Sequence, residues 1–77
     1  MSRYPSVQAK DFIKVITALG YTLDRQKGSH AIYKNGRGER VVVPIHSGKD
    51  IKPGTLAAMI QDIGLEKDEF FRLLQKM

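Results

Sequence analysis

Apolar residues recur three and four positions apart at Phe12, Ile13, Ile16 and Leu19, which predicts an amphipathic helix over residues 7–19. Ser6 is the expected N-cap and Gly20 a left-handed stop. The period then shortens. Tyr21-Thr22-Leu23-Asp24-Arg25-Gln26 alternates Tyr and Leu with polar residues and predicts a half-buried strand, ended by Lys27-Gly28-Ser29. His30-Ala31-Ile32-Tyr33-Lys34 predicts a second strand, and Asn35-Gly36-Arg37-Gly38 turns it into the β-branched run Val41-Val42-Val43-Pro44-Ile45. Pro44 has no N–H to give to a ladder, so this third strand lies at an edge or is ending. After a loop from His46 to Gly54, Pro53 suits the first turn of a helix whose stripe is Leu56, Met59, Ile60 and Ile63, stopped by Gly64. Phe70, Phe71, Leu73, Leu74 and Met77 predict a third helix.

The order α-β-β-β-α-α predicts an α+β fold, one three-stranded antiparallel sheet with helices packed on one face and the other face left available. A double-stranded-RNA-binding domain has the same α-β-β-β-α order, which raises the expectation of RNA without settling function. Seventy-seven residues suit a single domain, 1–77, with one small core. There is no cysteine, so neither a disulfide nor a thiolate metal site is available. The apolar runs are too short to cross a bilayer, and Met1-Ser2-Arg3-Tyr4-Pro5 has no secretory pattern, so a cytoplasmic protein is expected.

Charge sharpens this picture through its placement. The whole net charge of +5 falls between residues 25 and 52, where Arg25, Lys27, Lys34, Arg37, Arg40, Lys49 and Lys52 face only Glu39 and Asp50. Elsewhere positive and negative residues balance. Both histidines, His30 and His46, lie in the basic stretch. A positive middle between neutral ends points to an anionic partner, nucleic acid being the commonest for a chain of this size.

Two histidines sixteen residues apart, without cysteine, do not make a protein-held metal site. Gly36-Arg37-Gly38 lies between strands, and Gly48-Lys49-Asp50 lacks the glycine spacing of a nucleotide-binding loop. Ser29 and Ser47 have no nucleophile elbow around them. What remains is ribonuclease chemistry. Attack by a ribose 2′-hydroxyl needs a base that titrates near neutrality, cations at the phosphate and donors for the developing charge. His30 can be the base, Gly28 lets backbone approach a phosphate, Ser29 can donate to it, and Lys27 and Lys34 can offset its charge. Lys49 and Lys52, in a loop leading into a helix N-terminus, can hold a phosphate or be solvated charges. His46 can orient that loop or supply a second proton transfer, and Tyr33 reads as core or sheet cover rather than a base-stacking platform. On composition alone, a surface or structural His30 is the commoner case. The face of His30 is a separate question: it shares one with Ile32, and if Ile32 is core, His30 escapes burial only at the strand's end.

From Gln26 to Leu65 the chain resembles the HicA toxin family. The resemblance is carried by Lys27-Gly28-Ser29-His30 with Tyr33, Val43-Pro44-Ile45-His46, Gly48-Lys49 with Ile51-Lys52, Gly54-Thr55-Leu56, and Gly64-Leu65 with Glu69-Phe70. Gly20-Tyr21 after the first helix also fits. Two departures are Glu66, where the family often has a serine or threonine N-cap, and the Tyr4-Pro5 leader, which fits only in outline. The resemblance implies a double-stranded-RNA-binding-like fold, ribosome-independent cleavage of messenger RNA, and a catalytic histidine at His30. It also implies a HicB antitoxin that covers the active face and contributes the DNA binding, so none is expected of the isolated chain. No cofactor is implied. Two other readings stand beside this one: a non-catalytic RNA-binding module, and a basic interaction protein that docks an acidic partner.

Overall fold

The first described residues are extended rather than helical. In the computed structural model, which describes residues 6–76, the Ile51 N–H donates to the Val7 carbonyl at 2.7 Å and Gln8 bridges to Asp50. Tied down this way, Val7 is fully buried and the helix starts late: α1 runs Ala9–Ala18, and its N-cap is Gln8, not Ser6. The Gln8 N–H donates to the Asp11 carboxylate at 3.1 Å, which satisfies a helix-end group locally. Met77, expected in the last helix, and the leader at Tyr4-Pro5 lie outside the described residues.

Three antiparallel strands follow in spatial order β1-β2-β3, with β1 Thr22–Lys27, β2 His30–Lys34 and β3 Arg40–Pro44. Asn35 builds the second turn: its carbonyl Oδ1 accepts from the Arg37 and Glu39 N–H groups at 3.0 and 2.9 Å. The next helix, α2, runs Pro53–Asp62 with proline in its first turn, and α3 runs Lys67–Gln75. At the N-cap of α3, the Glu66 N–H donates to the Glu69 carboxylate at 3.0 Å, so glutamate serves where serine or threonine would otherwise cap. This is the α+β, double-stranded-RNA-binding-domain-like order.

The core lies between the helices and β3. Phe12 of α1 stacks on Phe70 of α3 at 5.3 Å, and Val41, Val43, Leu56, Met59 and Ile60 close around them. Burying a side chain of this size is worth about 1.5–3 kcal/mol. The expectation of a half-buried β1 is corrected: all six of its residues are exposed. The helices reach β3 and leave β1, two strands away, uncovered. Tyr21 supplied half of the alternation that suggested burial, but it precedes the strand, buried and bonded through its N–H to the Ile16 carbonyl at 2.9 Å. A register break between Leu23 and Arg25 then disrupts the alternation.

Candidate active site

His30 is fixed by a two-residue turn. Lys27 pairs with His30 across Gly28-Ser29, Gly28 has φ +56°, and no described non-glycine residue has positive φ. One positive φ, at the first central position, is the pattern of a type II′ hairpin turn, for which glycine is the natural residue. The Gln26 side-chain amide braces it by donating to the Gly28 carbonyl at 3.2 Å. On its other side His30 pairs with Pro44, Ala31 with Val43 and Tyr33 with Val41. Ala31, Val41 and Val43 are buried and Tyr33 packs against the core, so these residues define the inner face. Alternation puts His30, Ile32 and Lys34 on the outer face. Ile32 is half-buried there and His30 is exposed, so sharing a face with Ile32 does not seal the histidine in.

The ladder runs one residue past β3, where the Ile45 N–H donates to the Ser29 carbonyl at 2.6 Å. Bonding alternates along antiparallel strands, so the missing N–H of Pro44 falls on the open edge, where no strand needs it. The chain then turns at His46, whose carbonyl accepts from the Lys49 N–H at 3.0 Å around Gly48 at φ +76°. Buried Ile51, bonded to Val7, anchors the far end of this loop, and Lys52 is the N-cap of α2. Between the outer side of β3 and α2 lies a cleft of about 590 Å³, whose lining includes His30, His46, Lys49 and Lys52. Its apolar surface comes from Val42, Pro44, Ile51, Ala58 and Met59. A second cleft of about 430 Å³, against Ala9, Lys10, Ile13, Ile45 and Ser47, has His46 in common with the first.

Residues 9–65 match the family described as HicA toxin of bacterial toxin-antitoxin. The chain belongs to the HicA toxin family. Membership gives it the toxin side of a toxin–antitoxin pair, and the matched span runs from the start of α1 past the end of α2, taking in both histidines and the whole lysine loop. No curated protein matches the chain. None of the described helices is long and apolar enough to cross a membrane.

Within this HicA-family chain the residues singled out from sequence divide into two groups. His30, His46, Lys49 and Lys52 share the cleft. Lys27, Gly28 and Ser29 form the turn beside His30 but do not line it, and Lys34 is at the other end of β2, 3.6 Å from the Asp24 carboxylate. Asp24 also lies 3.8 Å from Arg25, and Glu39 lies 3.3 Å from Arg37. Acidic neighbours therefore offset part of the basic stretch. Lys27, Lys49 and Lys52 form no ion pair with a carboxylate among the described residues. The sequence reading missed Thr55, Asp50 and Asp62 as cleft residues. Thr55, Ala58, Met59 and Asp62 share one face of α2, but only the docking of α2 against β3 brings that face opposite His30. Among the described residues no three His, Cys, Asp or Glu side chains group to hold a metal ion.

Proposed function

We propose that this chain is a metal-independent endoribonuclease, the toxin of a type II toxin–antitoxin pair, which cuts messenger RNA with His30 as general acid/base. The observation that carries this reading is the exposed His30 at the wall of a cleft that it shares with His46, Lys49 and Lys52. In the reaction His30 takes the proton of a ribose 2′-hydroxyl, the O2′–P bond forms, and the P–O5′ bond breaks. The products are a 2′,3′-cyclic phosphate and a 5′-hydroxyl end. Lys49 and Lys52 hold the phosphate charge, with Lys27 and the Gly28-Ser29 turn beside the entrance and Lys34 a more distant contact for the RNA backbone. The partner is a HicB-type antitoxin that covers this face and carries the DNA binding, and the working compartment is the cytoplasm, where messenger RNA is translated.

The test is incubation of the purified chain with messenger RNA and with DNA of the same sequence, with and without a chelator. RNA is cut, DNA is not, and the chelator has no effect. His30→Ala, folded by circular dichroism, loses about 10²–10⁴-fold in rate while keeping RNA affinity. Salt-sensitive binding without products would make the chain a non-catalytic RNA binder, and only weak, unspecific binding at physiological salt would favour a module for an acidic protein.

A further inference from the structure

The proton taken from the 2′-hydroxyl accounts for half of the proton traffic in this reaction, because the departing O5′ needs a proton of its own. We propose that the His46 imidazolium supplies it, and that the scissile phosphate bridges the two clefts. This rests on the ribonuclease reading above. His30 pairs with Pro44 and the Ile45 N–H still bonds the Ser29 carbonyl, so His46 is the first residue beyond the ladder, two positions past the partner of His30, where continuing strands would set a diagonal spacing of about 7–8 Å. That separation leaves room for one phosphate between two imidazoles. Both histidines line the first cleft, and His46 alone of the two also lines the second.

This asymmetry sets the roles. The attacking 2′-hydroxyl belongs to the nucleotide on the 5′ side of the phosphate, and the leaving O5′ belongs to the nucleotide on the 3′ side. A 5′ nucleotide in the cleft of Val42, Pro44 and Met59 presents its 2′-hydroxyl to His30, which borders that cleft only. The 3′ nucleotide continues past His46 toward Ala9, Lys10 and Ile13 of α1, and its O5′ lies at the boundary where His46 stands. The O2′–P bond forms as its proton moves to His30. The P–O5′ bond breaks as the proton of His46 moves to O5′, and exchange with water resets both rings. The turn from His46 to Lys49, with Ile51 beyond it anchored to Val7, holds the acid next to the strand that carries the base.

The experiment compares two versions of one RNA oligonucleotide containing a mapped cleavage site, one ordinary and one with sulfur in place of the bridging O5′. A thiolate leaves without a proton. His46→Ala, and His46→Gln as a second variant in case alanine loosens the loop, slow cleavage of the ordinary RNA by about 10²-fold or more. Both variants, folded by circular dichroism, come within about tenfold of the unaltered protein on the sulfur-bridged RNA, the gain expected when the general-acid contribution is no longer required. His30→Ala remains slow on both. Equal slowing on the two RNAs would make His46 a loop-positioning residue and overturn the proposal, as would undiminished cleavage of ordinary RNA. Sulfur rescue of His30→Ala instead would reverse the roles. Those results leave the ribonuclease reading intact, whereas no cleavage by the unaltered protein, or none dependent on His30, removes both.

Discussion

β1 and β3 are the two outer strands of one sheet, yet β3 buries Val41 and Val43 beneath the helices while every residue of β1 is exposed. β2 joins these unlike edges and carries His30 at its first position, in register with Lys27 on one side and Pro44 on the other. The covered edge supplies rigidity and the wall of the cleft. The uncovered edge supplies exposed cations near the site, Lys27 among them, and contributes little packing. A reactive side chain at the junction is held by a strand paired on both sides, through its own residue toward β1 and through Ser29 toward the β3 side, and stays open to solvent, a placement that a histidine deep in either half would lack.

The sharpest way to break this division is to truncate one large apolar residue in each half. Phe70, fully buried, stacked on Phe12 and edge-to-face with Phe71, belongs to the covered half. Phe70→Ala costs about 3–5 kcal/mol in urea unfolding, a large share of the ~5–15 kcal/mol typical of a folded chain. Leu23, 52 % exposed on β1, costs under about 1 kcal/mol when changed to alanine. Comparable losses at the two positions would mean that β1 carries packing that its exposure does not suggest.

What could be read from the sequence follows the same boundary between local and non-local causes. The limits of β2, the edge position of β3 at Pro44 and the start of α2 at Pro53 rest on residues that act through their own backbone, and each was legible. The late start of α1 was not, because it depends on Val7 and Gln8 pairing with Ile51 and Asp50, more than forty positions away. For the site, Gly28-Ser29-His30 and the lysines after His46 are visible as short runs, whereas Asp62 reaches the cleft only through the docking of α2. Lys34 is an intermediate case: nothing in its local pattern tells of the ion pair with Asp24, which forms across the register break in β1.

The Gly28 turn allows a second, smaller test, in which the histidine is displaced while all chemistry-bearing residues remain. A side chain at Gly28 would meet no atom within 4 Å, so the cost of Gly28→Ala comes from its φ of +56° alone, about 1–2 kcal/mol. Gly36, without positive φ and with equally open surroundings, is the control, and Gly36→Ala leaves stability and cleavage unchanged. For Gly28→Ala, RNA cleavage falls although unfolding shows most molecules still native. Full cleavage in that variant would show that the turn does not set the position of His30 and that β3 alone holds it.

The smallest expected effect lies where the two halves meet. Tyr21 is buried between α1 and β1, and burial first, then the Glu39 carboxylate, raises its pKa above the ordinary tyrosine value, with Asp62 adding to the rise and Arg37 opposing it. A raised value means that the folded state favours the neutral phenol. Its contribution to stability is complete below the unfolded value of about 10 and is lost as pH climbs through the higher folded value. One proton limits the slope to about 1.4 kcal/mol per pH unit, and lysines titrating in the same range add their own terms. Tyr21→Phe isolates the effect, because phenylalanine keeps the buried ring and removes the titration. Urea unfolding from neutral pH to above 10 therefore falls less steeply for the variant than for the unaltered chain. Parallel curves would mean that the phenol reaches water at this boundary, and that the covered half ends before Tyr21 rather than after it.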